Sequence, residues 1–380
     1  MYDVIVVGLG GMGSAAVWHL ARRGLRVLGL ERFDAPHEMG SSHGLTRIIR
    51  LAYYEHPSYV PLLRRAFALW RELEQAAGQR LLHVTGGVDA GPPGSRVFEG
   101  SRRSCELHDL SHEVLDSAQL SRRYPAFHLP PDYLAVAQPD AGFLLPERCI
   151  AAHLRLARER GADVRVTEPV RGWEPDSSGV AVRTAHGTYR APRLVLTAGP
   201  WMPELAPFLA PQLVVERQVL AWFEVSEPEH FAPGRFPVFV MNAEEGHFYG
   251  FPEFGVPGFK LGKYHHRGEA VEPDGIDRAV HDEDIRPLRD FARRYVPGGA
   301  GRLLRTSVCM FTNTKDEHFI LDRHPDAPPV WLVSACSGHG FKFTSVMGEI
   351  AADMVQRGET AHDIALHRLA RLTSGAVPGA

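Results

Sequence analysis

Val4-Ile5-Val6-Val7-Gly8-Leu9-Gly10-Gly11-Met12-Gly13-Ser14 is the stretch that decides the fold. Its four consecutive apolar residues read as a parallel strand buried on both faces. Gly8, Gly10 and Gly13 then spell G-x-G-x-x-G. Residues 14 to 23 continue as a helix with Ala15, Ala16, Leu20 and Ala21 on its inner face, and Gly24 supplies the stop. Val27-Leu28-Gly29-Leu30 is a second buried strand, and it ends on Glu31. Strand, glycine turn, helix, strand and acid make one βαβ unit. Its helix N-terminus faces a pyrophosphate, and Glu31 lies near the ~20-residue offset of an acid that meets ribose hydroxyls. A bare G-x-G-x-x-G is weak evidence; the five features in order are strong. The unit by itself does not choose between NAD and FAD.

Outward from there the same grammar returns twice. Residues 58 to 80 read as a helix, with Tyr59, Leu62, Leu63, Ala66, Leu69, Trp70 and Leu73 at helical spacing, and a strand is expected over Val84 to Ala90. Ile150 to Arg160 is helical and leads into a strand over 162 to 166; a hairpin follows near 180 to 188. Leu194-Val195-Leu196 and Val330-Trp331-Leu332-Val333 are buried strands that both run into glycine, the second continuing into a helix over Thr344 to Arg357. Between Leu213 and about Leu321 the texture changes to short strands separated by turn residues, with one helix near 282 to 295. The fold class expected is α/β: a Rossmann-like dinucleotide-binding domain built from 1–84, 148–212 and 322–380, with an inserted antiparallel-sheet α+β substrate domain from 85–147 and 213–321.

Composition narrows the function. At 380 residues the chain exceeds one ordinary domain of ~150. Lys and Arg number 42 against 45 acidic residues, a net charge of −3, and no basic patch stands out, which argues against a nucleic-acid partner. No apolar stretch approaches the ~18 residues of a membrane span. The chain enters its first strand at once, so no secretory leader is expected. Cys105, Cys149, Cys309 and Cys336 are too far apart for a zinc motif or a disulfide scaffold, and reduced thiols in a cytoplasmic protein are the natural reading. Twenty histidines include no H-E-x-x-H, and the adjacent His265-His266 would point apart on a strand, so no metal site is expected.

Three further motifs carry a resemblance. Gly40-Ser41-Ser42-His43-Gly44-Leu45-Thr46-Arg47-Ile48-Ile49-Arg50, Val308-Cys309-Met310-Phe311-Thr312 and Ser337-Gly338-His339-Gly340-Phe341-Lys342-Phe343 resemble, in order and over nearly the whole chain, the monomeric sarcosine oxidase and N-methyltryptophan oxidase family. The resemblance implies an FAD enzyme of the glutathione-reductase-like superfamily, a monomer that oxidises secondary amino acids with O2 to give hydrogen peroxide. Gly348-Glu349-Ile350-Ala351-Ala352-Asp353 leans towards the N-methyltryptophan branch.

Residue by residue, it makes Cys309 the covalent tether of the flavin, with Cys336 as the rival thiol. It makes Arg50 and Lys342 the pair that holds the substrate carboxylate, a task suited to fixed cations. Arg47 and His43 would sit beside the flavin, and Lys260 would be the lysine that activates oxygen, where a fixed positive charge favours superoxide. From pattern alone Lys260 reads equally well as the outward residue of a strand. Tyr249 matches a pocket tyrosine. His265 matches a pocket histidine, although an extra residue at Lys263 makes Tyr264 a rival. Arg32, Ser41, Ser42, Gly199, Trp201, Gly338, Gly340 and Phe341 join Gly8, Gly10, Gly13 and Glu31 as cofactor contacts. The sequence departs from the family at Phe311, where sarcosine oxidases carry tyrosine, and at Ser42 and Leu45, where His and Asp are usual; these changes bear on the substrate more than on the reaction. The alternatives are a flavin dehydrogenase with another electron acceptor, a pipecolate- or proline-type cyclic imino acid oxidase, a nicotinamide dehydrogenase using the same loop, and a non-enzymatic flavin-binding scaffold.

Overall fold

The computed structural model describes residues 1–334 and 336–373. Its opening is the βαβ unit: β1 (Val4–Val7), α1 (Gly11–Arg22) and β2 (Val27–Leu30), with every residue of both strands buried. Gly8 has φ +88, and a Cβ there would meet the Thr197 carbonyl oxygen at 2.7 Å; a Cβ at Gly13 would collide with the Gly8 carbonyl. Both positions therefore need glycine, one for its backbone angle and one for helix-to-strand approach.

A six-stranded sheet forms around this unit in the order Ile320–His324, Ala327–Ser334, Leu194–Leu196, β1, β2, Asp163–Arg165. All pairings are parallel except the edge pair Ile320–His324 with Ala327–Ser334. Three stretches distant in sequence thus build one layer, as the repeated strand-to-glycine grammar implied. On one face, α1 packs against Pro146–Glu159 and Thr344–Arg357, with Tyr59–Ala77 outside them. On the other, Ile5, Val7, Leu28 and Leu30 meet Val180 and Val182 of a three-stranded sheet over 172–191.

An eight-stranded sheet takes its strands from 87–138 and 213–314. It is mixed rather than antiparallel throughout, because Val238–Ala243 runs parallel to Gly87–Gly91. The strand expected over Val84 to Ala90 is two, Leu82–Val84 and Gly87–Gly91. Gly86 at φ +75 breaks it, and the first piece joins Arg47–Arg50 and Ala141–Leu144 in a small fourth sheet. Strand alternation divides the large sheet into two faces. Val219, Ala221, Phe248 and Leu261 belong to the core beneath it. The cross-strand pairs Gln218–Cys309, Glu216–Phe311, Trp222–Lys260 and Tyr249–Gly262 all lie on the opposite face, which is turned towards the site.

Candidate active site

A cavity of about 400 Å³ opens where the strand ends of the six-stranded sheet meet the large sheet. From the βαβ unit it is lined by Gly8, Gly10, Gly11, Glu31 and Arg32. The first motif adds Ser41, Ser42 and Arg47, and the turn after Leu194–Leu196 adds Gly199 and Trp201. Phe311, Gly338, Gly340 and Phe341 close the other end, with Cys336 also on the wall.

The donor set fits a dinucleotide. The N-cap residue of α1, Gly10, offers no side-chain cap; Gly11 N makes only a long hydrogen bond of 3.4 Å to Ser42 Oγ, and this helix start suits an anion. A Cβ on Gly10 would meet nothing within 4 Å, which leaves space against that helix end. The Ser41 hydroxyl is buried without a partner among the described residues. Glu31 accepts from Leu9 N at 2.6 Å and Phe33 N at 3.0 Å, bracing the glycine turn. A carboxylate has about four acceptor sites, so room remains for ribose hydroxyls. Arg32 and the Trp201 indole N–H both bind Asp274, at 2.8 and 2.9 Å, which brings the 270s segment to this end.

At the other end cations converge on the site-facing sheet. Lys260 is 2 % exposed; its Nζ donates to the carbonyls of Gly44 and Thr46 at 2.7 Å and to Thr46 Oγ1 at 2.9 Å. Burial, with Arg47 nearby, lowers its pKa well below the ordinary lysine value. Arg47 donates to the Thr46 and Ser41 carbonyls. Burial, helped by Arg47, pushes His43 down to about 3, so the ring is neutral, and its Nε2 has no partner among the described residues. Cys309 is buried; burial raises its thiol pKa while Arg47, Lys260 and Arg278 pull it back. Its strand neighbours Met310 and Phe311 line the cavity and Cys309 itself does not, whereas Cys336 does.

Arg50 and Lys342 meet in a second buried group. The Arg50 guanidinium pairs with both oxygens of Glu55 at 3.1 and 3.0 Å, approaches Asp89 at 3.6 Å and donates to the Ala52 carbonyl. Burial opposes the charge of Arg50, and Glu55 and Asp89 more than restore it. Burial likewise opposes the charge of Glu55, but Arg50 holds it at about 2, while burial lifts Asp89 to about 6. Lys342 is pushed down to about 7 by burial and by Arg50.

The pocket wall beside them is aromatic. Tyr264 lies 5.2 Å from Tyr249 and 5.6 Å from Phe311, ring to ring, and stacks on His247 at 4.5 Å. His265 is not part of this wall. It sits in a turn at φ +51, not on a strand, and reaches outward to Glu216 and Glu317, both at 2.8 Å. His266 turns to Asp284 at 3.3 Å. Lys260 and Gly262 face the site, and Tyr264 continues that alternation into the inward place. Sequence reasoning missed Glu55, Asp89, His247 and His339. Only His247 carried a local signal, two residues before Tyr249 on the same strand face. Glu349 and Asp353 bind Arg65 and Arg23 between helices, so that motif packs the helical layer. Among the described residues no helix is long and apolar enough to cross a membrane, and no group of three or more His, Cys, Asp or Glu could hold a metal ion.

A family model described as FAD dependent oxidoreductase matches residues 3–354. The monomeric sarcosine oxidase of Streptomyces avermitilis is 44% identical over 382 residues, covering 98% of both chains. The N-methyl-L-tryptophan oxidase of Yersinia pestis is 37% identical over 373 residues, covering 97% of this chain and 99% of that one. Among solved structures, NikD, an unusual amino acid oxidase essential for nikkomycin biosynthesis, has a TM-score of 0.83 at 29% identity and covers 96% of both chains.

Proposed function

The chain belongs to the FAD dependent oxidoreductase family, and from that premise we propose that it is an FAD-dependent oxidase of secondary, N-methyl α-amino acids. Bound FAD supplies the two-electron redox chemistry. The overall reaction takes the N-methyl amino acid, O2 and water to the amino acid, formaldehyde and hydrogen peroxide.

One observation carries the substrate class. Arg50 and Lys342, from opposite ends of the chain, both stand over the buried Tyr53 ring, at 4.6 and 5.3 Å. Two cations fixed in a dry place suit a carboxylate, which a guanidinium can grip with two parallel hydrogen bonds. Tyr249, Tyr264 and Phe311 exclude water from the amine end. The uncapped start of α1 with Ser41 and Ser42 holds the pyrophosphate, and Glu31 the ribose. Neutral His43 and the Lys260 ammonium form a buried group of their own beside Arg47, and a cation there favours oxygen reduction. Cys309 is the covalent attachment point: it shares the sheet face of Lys260 and Tyr249, and Arg47, Lys260 and Arg278 partly offset the burial that raises its thiol pKa. A monomer in the cytoplasm completes the reading, consistent with four free cysteines.

The test is anaerobic mixing of purified holoenzyme with sarcosine, N-methyltryptophan, pipecolate and proline, followed by air. Flavin bleaching by an N-methyl amino acid and prompt peroxide are expected. Bleaching without peroxide would make the protein a dehydrogenase, and bleaching by pipecolate or proline alone would make it a cyclic imino acid oxidase.

A further inference from the structure

His339 stands between Gly338 and Gly340 at the mouth of the turn that carries Lys342. Its ring is buried among Tyr53, Tyr59 and Phe319. Both nitrogens are used, and their roles are fixed. The Glu317 carbonyl, 2.9 Å from Nε2, can only accept, so Nε2 carries the hydrogen. Nδ1 is then the acceptor, and the Tyr53 hydroxyl donates to it at 2.7 Å. The main chain of the same residue does a second job, because its carbonyl accepts from Lys342 Nζ at 2.8 Å.

Tyr53 in turn is the ring that lies under both cations. One neutral imidazole therefore sets two coordinates of the anion site. Its ring fixes the plane of Tyr53 and so the seat of Arg50, and its carbonyl fixes the ammonium of Lys342. A lysine has three N–H donors; with one spent on His339, the others are left to be aimed. We propose that His339 is the positioning residue of the substrate carboxylate site, orienting Arg50 through Tyr53 and Lys342 through its own carbonyl. This rests on the reading that those two cations hold the carboxylate. A residue that merely filled space could be replaced by phenylalanine without selective effect, since that ring has similar bulk and lacks both hydrogen bonds.

The probe pair is methoxyacetate, which has the length of N-methylglycine with an ether oxygen for the amine, and its uncharged counterpart methoxyacetamide. Each is titrated into holoenzyme by the change in flavin absorbance. His339→Phe should weaken methoxyacetate at least tenfold and leave methoxyacetamide within twofold. The KM for the substrate should rise by a similar factor while kcat falls less than threefold. His339→Gln, which keeps a donor and an acceptor, should recover much of the loss. Tyr53→Phe, which removes the same hydrogen bond from the other side, should reproduce the selective weakening even if His339→Phe fails to fold. Equal weakening of both probes, or of neither, overturns the proposal. The double variant Arg50→Met/Glu55→Gln separates the two levels. If it leaves methoxyacetate affinity unchanged, the carboxylate reading itself fails; if it weakens methoxyacetate while His339→Phe and Tyr53→Phe do not, only the role of His339 falls.

Discussion

The ammonium of Lys260 is held 2.7 Å from the carbonyl oxygen of Gly44, so the large sheet and the first motif are clasped together by a buried cation. With Thr46 supplying two more acceptors, its carbonyl and its hydroxyl, the ammonium has no carboxylate among its hydrogen-bond partners. Such a cation is fixed in position without being neutralised. Lys260→Met keeps the methylene stem, and both carbonyls keep a donor, Gly44 O from Thr46 N and Thr46 O from Arg47, so the variant should stay folded. Stopped-flow measurement should find reoxidation by O2 slowed at least tenfold and reduction by substrate changed less than threefold. Equal slowing of the two half-reactions would reduce Lys260 to a clasp.

Cys309 and Cys336 can be separated directly. Cys336 lines the cavity and Cys309 does not, yet only Cys309 has Arg47, Lys260 and Arg278 among the charges that pull its thiol pKa down. Cys309→Ser should release the flavin into the supernatant on acid precipitation, and Cys336→Ser should leave a yellow pellet. The reverse pattern would move the tether to Cys336, and two colourless pellets from wild type and variants alike would mean no tether.

The Arg50–Glu55 pair predicts a rescue. Both side chains are 2 % exposed, and removing one partner of a buried pair costs about 3–5 kcal/mol by stranding the other. Arg50→Met alone should therefore lower stability to chemical denaturant strongly, and adding Glu55→Gln should restore most of it. Carboxylate affinity should stay lost in the double variant. Recovery of affinity together with stability would show that Arg50 acts only through the fold.

His265 predicts a pH dependence of stability. Hydrogen bonds to Glu216 and then Glu317 raise its pKa to about 10. A raised value means stabilisation fully present below the unfolded histidine value of about 6.5 and lost as pH rises through the folded value. The same His265 hydrogen bond holds Glu317 down at about 2, a contribution present above the unfolded carboxylate range and lost only as pH falls through that low value. Groups facing this lattice are Glu216, Glu317, Arg96 and Asn313. The Tm should decline from about pH 6.5 towards 10, and His265→Gln should flatten that slope. Because the His265 side chain is 46% exposed, solvent and salt weaken the effect, and raised ionic strength should shrink it.

What the sequence disclosed, and what it withheld, follows the range of the forces involved. The βαβ unit was legible because glycine spacing and apolar runs are local. The helix over Thr344–Arg357 matches its expected bounds because Gly358, at φ +81, ends it. The break at Thr85-Gly86 was not legible, since a glycine inside an apolar run reads as continuous until two different sheets claim its sides. Between His265 and its rival Tyr264 the sequence left the choice open; the strand ends at Lys263, regular alternation carries the inward place to Tyr264, and His265 falls in the turn at φ +51. Glu55 follows Arg50 by five residues with no regular element between them to show that they pair, and Asp89 takes its meaning only when Gly87–Gly91 is brought against Arg50. His339 sits inside a motif whose glycines drew the attention, and its role appears only when Glu317, Tyr53 and Lys342 are placed around it.

Lys342 gives the last test, because its charge is in play near neutrality. Burial and then Arg50 lower its pKa to about 7, and only the protonated form attracts a carboxylate. The affinity for methoxyacetate should fall as pH rises above that value, by up to tenfold per unit. Asp89 is the competing group: burial raises it to about 6, and its ionisation also opposes an anion. The two are separable. Lys342→Met should weaken binding at all pH values and abolish the upper break, leaving a shallower one near pH 6. Asp89→Asn should remove the lower break and keep the upper. Glu55 and Arg50 hold their charges across this range and shift the whole curve without bending it. A methoxyacetate profile in the wild type that stays level from pH 5 to 9 would show that Lys342 does not face the anion.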